Sequence, residues 1–582
     1  MTTRDAPRKS NWVLVFLGII LACALVVRVW GIDFPRYHWD EGTNFDSVFY
    51  ASYNNLALPT YVHGTFFQYG LLGIWYTFLL VQGLVPDTVI LLDTYFHNPI
   101  PFLVLARLWV AIMSTANVLV VYVLGKRLYG TAVGLLSALF LAFEFLHVSE
   151  SHYARGHVVA TFFATLAVYF SARILSDARM RNYVLAGICI GLGTAMQYSV
   201  LLTVIPLVVA HWAKLHAERR HAPWREWVLN RSLLMGLDTA AVAFFIVTPY
   251  ALINFPFYAG EMKWFLTQAV SHTWVSAEGQ PVFLFYLTEH LKNGIGLGLE
   301  MIALVGVIYA MLRREPCDWV LLAFPIPLFN TLAKGENFAR YALLLLPFLS
   351  IWAARFLWWI SEKLKARVSD LWRYVGLGLV ALLCVIPSIL NSVRWDYWLT
   401  QPDTRVLGTQ WILANVPNDA TMILEGADVL GPPVPTTLVL LEQAIKNEPV
   451  NTVGHVYLQA ICKNQRKDIG YRAEMIFRLD ERHISGIFQG KIENASYYTE
   501  RGIDYLVTSE WMIRDSGDQY ASAFRASLDT LYEPIKIFTP TVPFRFDPYA
   551  WRMDYDALAQ IVPGQPGIGG PTLTVYRRRA GQ

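Results

Sequence analysis

Charged residues are scarce in this chain of 582 residues. Asp, Glu, Lys and Arg together make up 16% of it, whereas a soluble domain carries roughly 25%. Hydrophobic residues make up 55% and aromatic residues 14%. This composition excludes an ordinary soluble protein and indicates a chain that lies mostly in a membrane.

Cysteine is also rare, and its positions form no pattern. The cysteines share no metal-ligand spacing, and three of the five lie within apolar runs; they are Cys23, Cys189, Cys317, Cys384 and Cys462. A framework of disulfide bonds is therefore not expected. The net charge of only +3 gives no indication of nucleic acid, so we expect no nucleic-acid partner.

Eleven apolar runs have roughly the length that a helix needs to cross the hydrocarbon of a bilayer. They cover residues 12–30, 104–124, 131–147, 158–175, 183–197, 199–213, 233–252, 296–312, 319–333, 339–359 and 374–394. The first follows Arg4, Arg8 and Lys9, and no small-residue cleavage site comes after it. We therefore interpret it as an uncleaved anchor whose N-terminus is cytoplasmic.

A further apolar stretch, residues 66–85, decides the topology. As a crossing it would place Lys126 and Arg127 outside, whereas as a re-entrant or interfacial helix it leaves most Lys and Arg residues on one side. The sequence thus predicts a multi-pass protein of the plasma membrane with its C-terminus outside. A transmembrane domain would cover residues 1–394, with a large first external loop at 31–103.

After Arg394 no segment is long and apolar enough to span. Short β-like runs at 421–424, 505–508, 535–538 and 572–576 alternate with helix-like stretches at 404–415 and 436–445. Residues 395–582 are therefore predicted to form an external soluble α/β domain. The complete fold class is an α-helical polytopic membrane protein of about 11 transmembrane helices with this domain at its C-terminus.

Two adjacent acids, Asp40 and Glu41, follow the first apolar run by about ten residues. Acids are rare in this chain, and a pair of them at a membrane surface indicates a reaction centre that faces water. The predicted topology places further polar residues on the same side. They are the candidate substrate-binding residues His38, His63, Glu150, His152, Arg155, His157, Lys334, Glu336, Arg340 and Tyr341.

This one-sided distribution suits a lipid-linked substrate, whose tail stays in the bilayer while its phosphate needs cationic partners. Arg155, Lys334 and Arg340 are candidates for that role, although Lys334 and Arg340 are equally explained as side chains that snorkel to the interface. A divalent metal (Mg, Mn or Zn) is a second interpretation of the cluster. Its ligands would then be Asp40, Glu41, His152 and His157; no cofactor is certain.

Several short motifs occur in a familiar order. Asp40-Glu41 follows His38-Trp39; Arg107-Leu108 precedes the basic turn Gly125-Lys126-Arg127; Ser151-His152-Tyr153-Ala154 and Arg340-Tyr341…Leu346-Pro347 come later. With these motifs the chain resembles the GT-C superfamily of membrane glycosyltransferases, specifically the prokaryotic protein-mannosyltransferase-like family that uses phospholipid-carried sugars. It departs from that family at His157, where relatives have an acid, and at Trp39, where many have proline.

The resemblance implies inverting transfer of a sugar from a polyprenyl-phosphate donor to a protein, lipid or glycan acceptor at the external face. Asp40 would be the general base, Glu41 would orient the acceptor or bind metal, and Arg155, Arg340 or Lys334 would stabilise the leaving phosphate. The alternatives are a flippase for lipid-linked sugars and a scaffold whose external domain binds a partner. Neither repeated halves nor charges near the bilayer midplane support the flippase.

Overall fold

The structure is a computed structural model. It describes residues 11–35, 39–62, 64–218, 223–269, 281–334, 338–425, 431–465, 467–477, 489–491, 494–510, 519–542 and 555–580. The chain folds into two compact units: a helical unit of Met1–Trp30, Thr60–Tyr69 and Arg107–Val393, and a mixed unit of Gly31–Pro59, Gly70–Ala106 and Arg394–Gln582. The mixed unit combines segments of the predicted first external loop with the chain after Arg394. The predicted domain limits stay a prediction.

Helices account for most of the described residues. Up to residue 253 they cover Asn11–Val29, Trp39–Tyr53, Thr65–Val81, Thr88–His97, Ile100–Tyr129, Thr131–Phe143, Phe145–Glu150, Gly156–Ile174, Met180–Thr194, Tyr198–Thr203 (a 3-10 helix), Val204–Glu218, Trp224–Val228, Arg231–Val247 and Tyr250–Ile253. Up to residue 399 they cover Phe255–Ala269, Val282–Phe285, Tyr286–Leu291 (a π-helix), Lys292–Ile295, Leu297–Arg313, Pro316–Leu322, Pro325–Leu332, Ala339–Leu345 (a 3-10 helix), Leu346–Leu364 and Asp370–Leu399. Beyond it lie Thr404–Asn415, Leu438–Asn447, Val453–Asn464, Ala495–Glu500, Gln519–Leu531 and Tyr555–Gln560.

The membrane helices agree with the predicted fold class. Each of the eleven predicted runs coincides with helix. Among the described residues, 7 helical segments are long and apolar enough to cross a membrane, or 8 if the bent pair around Gly296 counts as one span. The bend of 119° falls at this glycine, whose φ of +87° suits a residue without Cβ. The exact number of eleven crossings stays a prediction, as does the interfacial placement of Thr65–Val81.

Glycines set how closely two helices of the helical unit approach each other. On helix Met180–Thr194, a Cβ atom at Gly187 or Gly191 would collide with carbonyl oxygens of helix Arg231–Val247. Small residues allow such backbone-to-backbone packing in membranes, where van der Waals contact drives helix association. The two helices therefore form one tightly packed pair.

Arg28 holds the point where helix Thr131–Phe143 ends. The guanidinium is fully buried and donates to the carbonyl oxygens of Leu141 (3.2 Å) and Ala142 (2.8 Å), which lie in the last turn of that helix, where orphan carbonyls need partners. It also donates to Nδ1 of His147 at 3.0 Å in the following short helix. Because a guanidinium only donates, the proton of the neutral His147 ring sits on Nε2. Arg28 thus fixes the chain that leads into residues 150–157.

The mixed unit contains a six-stranded sheet. Its strands are β1 (Thr421–Glu425), β2 (Arg472–Phe477), β3 (Gln489–Lys491), β4 (Tyr505–Ser509), β5 (Tyr532–Phe538) and β6 (Leu573–Arg578), in the order β3-β2-β1-β4-β6-β5. The pairs β3–β2, β2–β1 and β1–β4 are parallel, and β6 pairs antiparallel with β4 and β5. The predicted α/β character is confirmed.

Strand β1 is buried on both faces. Met422 and Leu424 belong to one hydrophobic cluster and Ile423 to another, because successive side chains of a strand point to opposite faces. Such double burial is typical of a parallel strand covered by helices. The four predicted β-like runs became β1, β4, β5 and β6, and the helix at Thr404–Asn415 has the predicted limits.

Candidate functional site

The acid pair lies at the start of a helix in the mixed unit. Asp40 and Glu41 occupy the first turn of helix Trp39–Tyr53, where the helix dipole favours negative side chains. Glu41 is fully buried, whereas Asp40 is partly exposed. The two adjacent carboxylates therefore differ in access: Asp40 is partly open to solvent, whereas Glu41 is not.

An aromatic cluster holds this helix in place. The ring of Phe45 lies 4.9 Å from that of Trp75, and the ring of Phe49 lies 4.9 Å from that of Tyr95. Trp75 and Tyr95 belong to the next two helices of the predicted first external loop and both contact Phe102. Such edge-to-face pairs stabilise by about 0.5–1.5 kcal/mol each beyond their burial. The acid pair thus stands on a rigid element.

A helix from the C-terminal segment packs on the same loop helices. Tyr457 of helix Val453–Asn464 lies with its ring 6.2 Å from Phe49 and 4.9 Å from Phe96. Lys463 forms an ion pair of 2.6 Å with Asp93, and this hydrogen bond lowers the pKa of the Asp93 carboxyl below its ordinary value. The C-terminal segment therefore helps to fix the helix that carries Asp40.

In the helical unit, residues 150–157 form the second polar region. Arg155 is almost fully buried and pairs with Glu150 in a charge-assisted hydrogen bond. Its guanidinium also lies 5.0 Å from the ring of Tyr153. Arg155 is the residue immediately before helix Gly156–Ile174, whose N-terminus has no side-chain cap. A cation and the free amides of a helix start together favour an anion.

His152 and His157 have different environments. His152 is fully buried, with Nδ1 3.0 Å from the carbonyl oxygen of Val148 and Nε2 3.2 Å from that of Trp30. Burial lowers the pKa of His152 to about 4, and the two carbonyls only partly offset it. His157 is partly exposed, and its Nδ1 lies 3.2 Å from Oε1 of Gln197. Since that oxygen accepts, Nε2 is the acceptor nitrogen of the neutral His157 ring.

Two segments distant in sequence meet at His157. The ring of Tyr341 lies 5.8 Å from the His157 ring, and Arg340 beside it lies 4.0 Å from the ring of Phe338 and 5.5 Å from that of Tyr341. The helical unit thus brings the predicted residues Arg340 and Tyr341 to the start of helix Gly156–Ile174. Lys334 is exposed.

Other predicted residues lie elsewhere. His38, His63 and Glu336 are outside the described residues. No three His, Cys, Asp or Glu side chains gather closely enough to hold a metal ion within the described ranges. A metal site made from Asp40, Glu41, His152 and His157 stays a prediction, and so do the roles of the other candidates.

Sequence reasoning missed Gln197 and the polar network around Arg28. Gln197 follows an apolar run and carries no motif, so only its contact with His157 reveals it. Arg28 and His147 gave a signal, because ionisable residues at the ends of apolar runs are expensive to bury and need partners. Buried Glu144 accepts a hydrogen bond from the Ser350 hydroxyl at 2.6 Å.

Comparisons with known proteins agree with this picture. Residues 103–253 match the family model of dolichyl-phosphate-mannose-protein mannosyltransferase, and this segment contains residues 150–157. A comparison with curated proteins found no sequence match.

Solved structures show the same fold. The chain is similar to the oligosaccharyltransferase of Archaeoglobus fulgidus in its apo form, with 14% identity, 99% of this chain and 89% of that chain covered, and a TM-score of 0.55. The archaeal oligosaccharyltransferase AglB from Archaeoglobus fulgidus, in complex with an inhibitory peptide and a dolichol-phosphate, is 13% identical. That likeness covers 98% of this chain and 89% of that chain, with a TM-score of 0.51. ArnT from Cupriavidus metallidurans in the apo state is 12% identical. That likeness covers 97% of this chain and 98% of that chain, with a TM-score of 0.51.

The family match over residues 103–253 agrees with the predicted resemblance to GT-C membrane glycosyltransferases and favours an enzyme over a flippase. The structural likenesses confirm the fold class.

Proposed function

We propose that the protein is an inverting glycosyltransferase that moves a sugar from a polyprenyl-phosphate donor to an acceptor at the external face of the plasma membrane. The observation that carries the proposal is the difference between the two acids: Asp40 is partly exposed at the start of a rigidly held helix, while its neighbour Glu41 is buried. The family match over residues 103–253 supports the reaction type.

Asp40 is the proposed general base. It takes the proton of the acceptor hydroxyl or amide as the acceptor atom bonds to the anomeric carbon from the face opposite the phosphate. The bond from that carbon to the phosphate oxygen breaks, and polyprenyl phosphate leaves. A base positioned in this way contributes roughly 10²–10⁴-fold to the rate. Glu41, buried beside it, orients the start of the helix and with it the acceptor.

The proposed phosphate-binding residues are Arg155 and Arg340. Negative charge grows on the phosphate as the sugar leaves, and preorganised cations stabilise that charge. Arg155 also has the helix start behind it, and Arg340 is held over two aromatic rings. Exposed Lys334, which precedes Arg340 in the chain, would attract the donor. The relative solved with dolichol-phosphate supports a donor of this class.

His157 distinguishes this chain from relatives that have an acid at the position. A neutral His157 offers Nε2 as an acceptor to a donor or sugar hydroxyl, whereas an acid would bring charge. If a divalent metal is used, Asp40, Glu41, His152 and His157 are its proposed ligands. Buried His152 would have to give up a contact with a backbone carbonyl to bind it.

The test is transfer in proteoliposomes with a panel of radiolabelled polyprenyl-phosphate sugars. Asp40→Asn should reduce release of free polyprenyl phosphate by about 10²–10⁴-fold. Asp46→Asn is the matched control, because Asp46 is an exposed acid of the same helix and its loss should leave transfer within about twofold.

Thermal unfolding of both variants verifies the fold, and a chelator arm decides the metal. Full activity of a folded Asp40→Asn protein would eliminate Asp40 as the base. If labelled lipid crosses the bilayer without being consumed, the protein is a flippase and the proposed transferase is wrong.

A further inference from the structure

A second group of cations lies in the helical unit, far from Arg155. We call it the Arg313–Arg355 cluster; it consists of Arg313, Arg355, Tyr129, Tyr309 and Asp318. Tyr129 is the last residue of helix Ile100–Tyr129. The next helix, Thr131–Phe143, is about 20 Å long and leads from there to Glu144 and residues 150–157. The cluster is therefore at the other end of the helices that carry the proposed phosphate site.

The two guanidinium groups share one aromatic ring. The Cζ atoms of Arg313 and Arg355 lie 5.7 Å and 5.9 Å from the ring centroid of Tyr309, and Arg355 is also 5.3 Å from the ring of Tyr129. Both cations thus lie within cation–π distance of a ring, and a guanidinium in such a position can still bind an oxyanion through its planar fork of N–H groups.

Among the five residues of the cluster, Asp318 is the one acid beside two arginines. Tyr129 donates to Oδ1 of Asp318 at 2.5 Å, and Nε of Arg313 is 3.6 Å from Oδ2 of Asp318. A more distant, exposed Glu315 is 3.8 Å from Nη2 of Arg313. These acids offset the charge of Arg313, but Arg355 forms no ion pair within the described residues, although it lies within a candidate membrane helix.

The fold leaves some polar atoms of the cluster without hydrogen-bond partners. Nη1 of Arg313 and Nε of Arg355 are buried, and neither has a hydrogen-bond partner among the described residues. An unpaired guanidinium within a membrane helix is costly, and it is retained where it serves an anion or reaches the interface. Phosphate is an anion that forked guanidinium groups bind well, through two parallel hydrogen bonds.

We propose that the Arg313–Arg355 cluster binds the phosphate headgroup of an anionic phospholipid. A lipid is favoured over free phosphate because apolar side chains beside the cluster are exposed, among them Ile308 and Leu312 of the same helix. They would contact the acyl chains, while Tyr309 and Trp359, 4.8 Å apart, form the aromatic layer typical of a membrane interface. By the predicted topology the lipid belongs to the cytoplasmic leaflet.

The test measures thermal unfolding and native mass spectra of the full-length protein in detergent, with phosphatidylglycerol or phosphatidylcholine added. Phosphatidylglycerol should raise the unfolding temperature and remain bound in the spectra. Arg355→Met should weaken this binding about tenfold, since a charged hydrogen-bonding partner is lost. Arg355→Lys should weaken it less, because it retains the charge without the fork. Arg314→Gln, an exposed neighbour, is the matched control and should bind as the wild type does.

Each arm can overturn the proposal. Equal binding by the wild type and by both Arg355 variants would refute it, as would equal loss in Arg314→Gln, which would indicate only surface charge. Inorganic phosphate or glycerophosphate should not raise the unfolding temperature. If either raises it as much as the lipid does, the site binds a free anion and the proposed lipid ligand is wrong. If Arg355→Met fails to fold, Arg355→Lys alone carries the comparison, and its unchanged affinity would refute the proposal.

Discussion

Arg28 and Arg355 are both single arginines at apolar runs of the same helical unit, yet their surroundings are opposite. Arg28 uses all five of its N–H groups inside the protein: it donates to Ala24, Leu141 and Ala142, and to Ser114 and His147. Arg355 lies against two tyrosine rings, and its buried Nε has no partner in the described part of the chain.

The difference separates two uses of a buried cation. An arginine whose donors are all satisfied by the fold has nothing left to offer a ligand, and it serves the architecture. An arginine whose buried donors remain unused destabilises the fold unless a ligand binds there. Arg155 and Arg340 lie between these extremes, since each has aromatic contacts and Arg155 also has a carboxylate.

The largest effect that tests this comparison is on stability. Arg28→Met should lower the free energy of unfolding by about 3 kcal/mol or more, because it leaves several buried acceptors without a donor and each costs about 1–3 kcal/mol. Arg355→Met should cost less than about 1 kcal/mol when no lipid is present. Unfolding of both variants in the same detergent measures the difference. Equal losses would remove the distinction between the two arginines.

A smaller effect concerns catalysis. Arg340→Met should lower kcat for sugar transfer about 10²-fold, the typical loss of one group that stabilises developing negative charge, with little change in phospholipid binding. Lys263→Met, which removes an exposed cation of the same helical unit, is the control and should change kcat less than threefold. Transfer rates of Arg340→Met and Arg355→Met with the same donor show whether the proposed phosphate site and the Arg313–Arg355 cluster act separately. A parallel loss of both properties in either variant would contradict separate roles.

The smallest effect marks the scale of an exposed ion pair. The folded pKa of Asp93 is lowered by Lys463, so the pair stabilises above the unfolded pKa of about 4 and this contribution is lost as the pH falls through the folded value. Asp93→Asn should cost only about 0.2–1 kcal/mol at pH 7. The same variant should unfold like the wild type once the pH is below the folded pKa. A double-mutant cycle with Lys463→Met measures the pair, and a cost unchanged by pH would contradict the assignment.

Sequence reasoning predicted most of this fold because its signals were local. Length and apolarity located the helices, and short β-branched runs located β1, β4, β5 and β6. Strand β2 was missed because Arg472–Phe477 mixes charged and apolar residues, and its partners are supplied only by the sheet. Strand β3, with three residues, is too short to give a pattern.

The candidate site was less predictable because its geometry depends on contacts between distant segments. The acid pair and Arg155 were recognised from residue type and order. That Glu41 is buried while Asp40 is accessible, or that Gln197 faces His157, follows from packing alone. Arg355 was counted only as part of an apolar run, since a single cation within a run does not disclose whether the fold supplies its partner.

The close packing of Gly187 and Gly191 against helix Arg231–Val247 has a consequence for biosynthesis. Helix Met180–Thr194 has 15 residues and so a length of about 22 Å, short of the ~30 Å hydrocarbon core. It leaves the ribosome before the partner that its glycines fit, so its stable membrane insertion should wait until that partner has been made. We expect Cys189 to react with a water-soluble thiol reagent in nascent chains that end before Arg231, and to be protected in chains that extend past Val247.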